Sequence, residues 1–402
     1  MTKILDKKHL GIFISICLLT FTPVRSWTKG DVLVIKGGEI HTVSGEVIPE
    51  GIIVLKDGKI QSMGQNVAIP KDAEVVDANG LIVTPGIIDA RSSFGVSPPR
   101  EKRRYIVPER KIIDFFTPIE DSPWLKCGVT ATYITPSPYD LIGGFGAVVK
   151  LAGNKDEALV HDEAGMSVSF GESTIKGLDM PTTRQGRIGR LRQEFIQAQE
   201  YQRLRKEKKG KELDEAEATK YESIAKALNR KVPVRCFVNN PDDIMTALRL
   251  AEEFDLKLVI DSGSAAYRIA HLLSEARVPV VVGPSIMGLG GGGPFEMFAH
   301  TPENAGSLHK AGVKVALSTD SRGGRSILSE GVVAKSHGLP EDAALKAVTL
   351  HAAEILGVAE RMGSIEPGKD ADIVLWKNHP LNTWGEAQKV IVNGKIVFDR
   401  KK

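Results

Sequence analysis

Apolar and polar positions follow two rhythms along this chain. Between residues 31 and 84, short apolar runs are separated by polar turns, as in Asp31-Val-Leu-Val-Ile-Lys36, Gly51-Ile-Ile-Val-Leu55 and Lys59-Ile-Gln-Ser-Met63. These runs predict strands, and Lys56-Asp57-Gly58-Lys59 predicts a hairpin because Asp-Gly tolerates left-handed backbone. Residues 364–402 repeat the pattern: Ala371–Trp376, Lys389–Val392 and Lys395–Phe398 read as strands, with Asn393-Gly394 as a second hairpin turn. Both chain ends are therefore expected to build one small composite β-sandwich domain, from residues 27–84 and 363–402. The middle, residues 85–362, has longer periods. Eight apolar runs recur there: Leu81–Asp89, Gly128–Thr135, Gly146–Leu151, Gly165–Glu172, Val232–Val238, Lys257–Ser262, Val278–Gly283 and Val313–Asp320. Near-continuous apolar runs are what strands covered on both faces require. Eight of them suit an α/β chain folded as a (β/α)8 TIM barrel, which typically takes ~250 residues. An open doubly wound sheet is the alternative.

Two stretches interrupt the middle. Residues 183–231 are highly charged, and Ile188, Leu191, Phe195 and Ala198 recur at helical spacing. Gly210 is expected to break this insertion into a helical hairpin, with the basic run Arg205–Lys211 as its solvated tip. Gly290-Gly-Gly-Gly293 reads as a loop over the barrel mouth, because no phosphate-loop Lys or Ser/Thr follows it.

Charge changes the picture at the N-terminus. Lys3, Lys7 and Lys8 precede an apolar run from Leu10 to Phe21, and Val24-Arg25-Ser26 follows. This is the pattern of an export signal covering residues 1–26. It places the protein in a periplasm or outside the cell, with an uncleaved membrane anchor as the alternative. The formal net charge of +3 belongs to this segment; without it, 49 basic residues face 49 acidic ones. Such a neutral chain gives no electrostatic case for nucleic acid. Of the three cysteines, Cys17 lies in the signal, and Cys127 and Cys236 are expected to be buried free thiols. That excludes a disulfide scaffold or a zinc ribbon.

Several phrases resemble the amidohydrolase superfamily, in its imidazolonepropionase-related branch. They are Val83-Thr-Pro-Gly-Ile-Ile-Asp-Ala90, Gly128-Val-Thr130, Leu141-Ile-Gly-Gly144 with Gly146-Ala-Val-Val-Lys150, Val313–Asp320 and the tail Gly363-Ser-Ile-Glu-Pro-Gly-Lys-Asp-Ala-Asp-Ile-Val-Leu375. The resemblance spans nearly everything after the signal and implies a barrel joined to a composite β domain. It also implies hydrolysis of C–N bonds by one or two divalent metals such as zinc, held by His, Lys and carboxylate side chains at the strand ends. The metal would acidify a water, and the eighth-strand carboxylate would take its proton.

Aligned on that pattern, the ligands are missing. The first strand ends Asp89-Ala90-Arg91-Ser92-Ser93, with Arg91 and Ser93 at the two His positions. On the fourth strand Ser167 stands for the bridging Lys, with Glu172 further on; on the fifth, Phe237 stands for His and Asn239 follows; on the sixth, Ser262 replaces His. Asp320 alone remains, as the residue matching the family's catalytic carboxylate. Arg offers only donors and Phe has no lone pair. No cofactor is therefore expected, and no metal ligands are assigned. His300, in the seventh strand-to-helix connection, is the best substitute His, while His161, His337 and His351 are expected in loops or helices away from strand ends. Strand alternation aims Phe237 at the barrel axis and Cys236 at the helices.

Arg91 and Asp320 end neighbouring strands of a closed barrel, so a guanidinium–carboxylate pair is expected to fill the vacated space. Ser93, Phe237, Asn239, Ser262 and Arg322 complete the expected binding pocket. Three functional readings stay open. One is a non-catalytic homologue binding a small ligand or a protein, as a homo-oligomer or paired with an active homologue. The second is an active C–N hydrolase with a rearranged site using Asp320 and Arg91. The third is a carbohydrate- or peptide-binding protein using the 183–231 hairpin as an arm.

Overall fold

In the computed structural model, the described residues are 32–96, 105–171, 181, 183–207, 215–285, 299–320, 325–383 and 385–401. Strands β1 (Val32–His41), β2 (Val47–Lys56), β3 (Lys59–Gly64), β4 (Glu74–Asp77) and β5 (Ile82–Pro85) open the chain. Strands β6 (Ile87–Ser92), β7 (Val129–Ile134), β8 (Ile142–Lys150), β9 (Leu159–Ser169), β10 (Val234–Val238), β11 (Leu258–Ser262), β12 (Val280–Val282) and β13 (Val315–Leu317) form a second sheet in sequence order. The last three, β14 (Ile373–Trp376), β15 (Ala387–Val392) and β16 (Lys395–Asp399), return to the first sheet. There the order is β16-β15-β14-β5-β1-β2-β3, with β4 also on β1, and β14 pairs antiparallel with β5. Both chain ends thus share one hydrogen-bonded sheet. Its hairpins turn where Asp57-Gly58 (φ 51° and 75°) and Asn393-Gly394 (φ 50° and 73°) take the left-handed backbone of two-residue turns.

Each of the eight apolar runs of the middle carries one strand of the second sheet. The first run divides: Ile82–Pro85 joins the composite sheet and Ile87–Ser92 the barrel. The expectation of regular β/α units needs one correction. Strand β8 runs antiparallel to both β7 and β9. The reason is the length of the connections. A parallel return needs a crossover of about a dozen residues or more, and only residues 135–141 separate β7 from β8.

The sheet curls into a nearly closed barrel. At the seam between β6 and β13, the Asp320 amide donates to the Arg91 carbonyl (3.1 Å). The Asp89 carboxylate completes the seam by accepting from the Thr319 amide (3.1 Å) and the Thr319 hydroxyl (2.6 Å).

The 183–231 insertion carries two helices, Arg184–Lys206 and Glu215–Leu228. Ile188, Leu191, Phe195 and Ala198 are all buried, as their spacing predicts. Gly210 and most of the basic run lie outside the described residues, as do residues 1–26 and Gly290–Gly293. No helix among the described residues is long and apolar enough to cross a membrane. Cys236 is buried, but Cys127 is only half-buried, because it closes a short 3-10 turn, Leu125–Cys127, ahead of β7. His161 lies on β9, not in a loop or helix as expected.

Lys150 joins barrel to composite sheet. Buried at the end of β8, its ammonium meets Asp370 (2.8 Å), Asp372 (2.8 Å) and the Asn393 side chain. Lys59 and Arg361 also pair with Asp370. The lysine of the Gly146–Lys150 phrase therefore grips the Lys369-Asp-Ala-Asp372 tail.

Candidate functional site

The barrel interior holds two guanidiniums and two carboxylates. Arg91, 1% exposed, reaches inward at the end of β6. The register between β6 and β7 slips there, from Asp89 opposite Thr132 to Ser92 opposite Ile134. The extra β6 residue is a bulge, which lets a side chain leave the strict alternation. Arg91 Nη1 donates to Asp320 Oδ1, its guanidinium carbon stacks 4.4 Å from the Phe237 ring centroid, and its Nε faces Asp261 Oδ2 at 3.7 Å. Deeper in, Arg235 Nε and Nη2 grip the two Asp261 oxygens at 3.0 and 2.6 Å. Nη2 also donates to the Ala90 carbonyl (3.1 Å), and the guanidinium lies 3.9 Å from the centre of the Tyr133 ring.

Burial raises the Asp320 carboxyl above the ordinary carboxylate range, against the pull of Arg91. Its side chain is 23% exposed, whereas those of Arg91, Arg235 and Asp261 are nearly dry. Asp320 and Ser262 hold positive φ (45° and 74°) at the ends of β13 and β11. Such backbone costs on the order of 1–3 kcal/mol per residue and persists only where its surroundings impose it. Ser262 donates to Asn239 Oδ1 (2.7 Å), so these two residues, each expected in the pocket, brace the ends of β10 and β11. Ser93 instead lines a neighbouring groove of about 500 Å3 with Phe94, Phe115, Ile119 and Trp124. Phe237 faces Arg91, while Cys236 packs in the outer core with its thiol pushed well up by burial. His300 Nε2 sits 3.2 Å from the Pro284 carbonyl oxygen. Arg322 and Glu172 lie outside the described residues. Among the described residues, no group of three or more His, Cys, Asp or Glu side chains is arranged to hold a metal ion.

Arg235, Asp261, Asp89 and Tyr133 were not singled out from the sequence. The available signal was a charged residue inside an apolar strand run. Arg235 stands two residues before the inward Phe237, and Asp261 precedes Ser262. Burial pushes Asp89 up to about 7, against three hydrogen bonds donated by Thr319 and the Arg91 amide. Unfolded, this carboxyl titrates near 4. Asp89 therefore favours the fold fully below pH 4, and that contribution is lost as pH rises through 7. Asp89→Asn should flatten the fall in stability between pH 4 and 7 by on the order of 1 kcal/mol per pH unit. Urea unfolding across that range measures it; a slope equal to that of the unchanged protein would show that Asp89 ionises normally.

A nearly closed barrel is joined to a composite sheet, and charged side chains gather in its interior and at its mouth. An amidohydrolase family model matches residues 296–397. A solved amidohydrolase from Thermotoga maritima superposes with a TM-score of 0.84 at 33% identity, covering 92% of this chain and 100% of that one. The imidazolonepropionase of Vibrio cholerae is 24% identical over 395 residues, covering 86% of this chain and 93% of that protein. The amidohydrolase tasK of Hapsidospora irregularis is 26% identical over 400 residues; the match takes in 88% of this chain but 40% of that longer protein. The chain belongs to the amidohydrolase family.

Proposed function

We propose that this chain is an exported amidohydrolase homologue whose barrel mouth binds a small ligand or a partner protein without metal-dependent C–N bond hydrolysis. The observation that carries the reading is the Arg91 guanidinium, set against Asp320, Asp261 and Phe237. A divalent metal does not fit this donor set. Guanidinium stays protonated and offers only donors, and a zinc site needs three or four ligands with lone pairs. The carboxylates that would serve as ligands already hold the two arginines. The reading takes the barrel as a TIM barrel with its third strand reversed, and the composite sheet as the material of a β-sandwich.

One observation favours a second reading, a rearranged C–N hydrolase. Asp320 is partly accessible and its carboxyl is raised, as suits a general base. A panel of dipeptides and cyclic ureides, assayed with zinc or chelator added, separates the two. The first reading expects no turnover under any condition. Turnover lost in Asp320→Asn would establish the second. N-terminal sequencing of the protein recovered from its native host tests export: a start after residue 26 is expected, and an intact Met1 in the cytosol would contradict it.

A further inference from the structure

Two imidazoles meet where the composite sheet joins the barrel. His41 ends β1, and the buried His379 lies in the loop between β14 and β15; their ring centroids are 5.7 Å apart, with the planes at 60°. His41 Nε2 donates to Glu39 Oε1 (2.6 Å). His379 does the reverse. Its Nδ1 accepts from the Leu381 amide (3.3 Å), which puts the proton of the neutral ring on Nε2. That bond folds the loop back and seats the fully buried Leu381 against the helix Arg325–Ser336. A Cβ at Gly331 of this helix would lie 2.5 Å from Leu381 Cδ2. Beside this contact, Lys335 Nζ of the same helix donates to the Asn382 side-chain oxygen and to Glu341, both at 2.9 Å.

A second proton can enter His379 only at Nδ1, where it displaces the Leu381 N–H. We propose that His379 is a pH-sensitive clasp: its protonation in acid breaks the bond to the Leu381 amide and releases residues 377–382 from the helix Arg325–Ser336. Burial holds the His379 imidazole below its ordinary value; His41 of β1 and Lys335 act in the same direction, and Glu341, of the helix Glu341–Ala347, and Glu39 of β1 oppose them. Once released, the ring returns to its ordinary value of about 6.5. Protons therefore favour the released loop. Its opening constant rises as pH falls through that value, by up to about tenfold per pH unit, until the clasped ring itself protonates. The helix also reaches the barrel mouth, where Glu330 Oε2 accepts from the Ser285 amide (2.7 Å) beyond the end of β12. Release thus loosens a helix that braces the mouth. The inference does not depend on what the mouth binds.

Histidine 15N NMR and hydrogen exchange on the full chain test it. At pH 8 His379 should be the Nε2–H tautomer. Between pH 7 and pH 5, exchange of the Leu381 amide, corrected for its intrinsic rate, should accelerate about tenfold as the loop opens. His379→Asn keeps an acceptor for the same amide, because an Asn side-chain oxygen bonds the amide two residues on, and it carries no titrating proton. In that variant the acceleration should vanish. An Nδ1–H tautomer at pH 8 would overturn the proposal, and so would exchange that does not change with pH. Both measurements are made on the unchanged protein, so they decide even where the variant fails to fold. Equal acceleration in a folded His379→Asn protein would place the titrating group elsewhere and overturn the assignment.

Discussion

Arg235→Met should lower folding stability by about 3–5 kcal/mol, the largest effect expected of any substitution inside the barrel. Methionine replaces the stem but strips Asp261 of both donors of a bidentate clamp, leaving a carboxylate whose side chain is 3% exposed. The Ala90 carbonyl loses its donor as well. Arg91 cannot make good the loss, because its Nε stands 3.7 Å from Asp261 and its Nη1 is engaged by Asp320. The second change should undo most of the first. Arg235→Met with Asp261→Leu removes both charges together, and buried ion pairs exchanged for apolar groups are often neutral in stability. Denaturant unfolding of the single and double variants measures both. A single variant losing under ~1 kcal/mol would mean that water reaches Asp261.

Lys150→Met should cost a similar ~3–5 kcal/mol, and the loss should depend on pH. Asp370 would keep Lys59 and Arg361, but Asp372 would keep only the Asn393 amide at 2.9 Å. Burial already raises the Asp372 carboxyl, and Lys150 is what opposes it. Without the lysine that carboxyl rises further. The folded protein then retains a proton that the unfolded chain gives up near pH 4, so the penalty grows as pH rises. The variant should therefore be closer to the unchanged protein at pH 5 than at pH 8. Equal losses at both would show that the Lys150 cluster contributes packing and not charge. Because the cluster ties β8 to the C-terminal tail, the same variant should become more sensitive to proteolysis between residues 363 and 401.

The strands were legible because burial on both faces writes an apolar run into the sequence, and each of the eight runs carries a barrel strand. The reversal of β8 was not read. Its signal was the short link from Ile134 to Ile142, a matter of length and not of composition. The composite sheet was legible from two Asp-Gly or Asn-Gly turns placed between alternating strands. At the mouth, Arg91, Asp320 and Phe237 were found by position and do meet. Asn239 and Ser262 meet each other, and Ser93 lines a separate groove. Arg235 and Asp261 escaped notice because each looked like a single polar interruption of a strand. Only the folded barrel shows that residues 26 positions apart form one clamp. The inward turn of Arg91 depends on a bulge, which no periodicity announces.

The central claim is that a guanidinium stands where a metal-dependent relative would hold a cation. Metal content measures this most directly. The chain, purified without chelators, should carry well under one equivalent of zinc, manganese or iron. After incubation with excess zinc and gel filtration it should still carry none above background. One equivalent retained through gel filtration, and lost when Asp320 is replaced by Asn, would contradict the account.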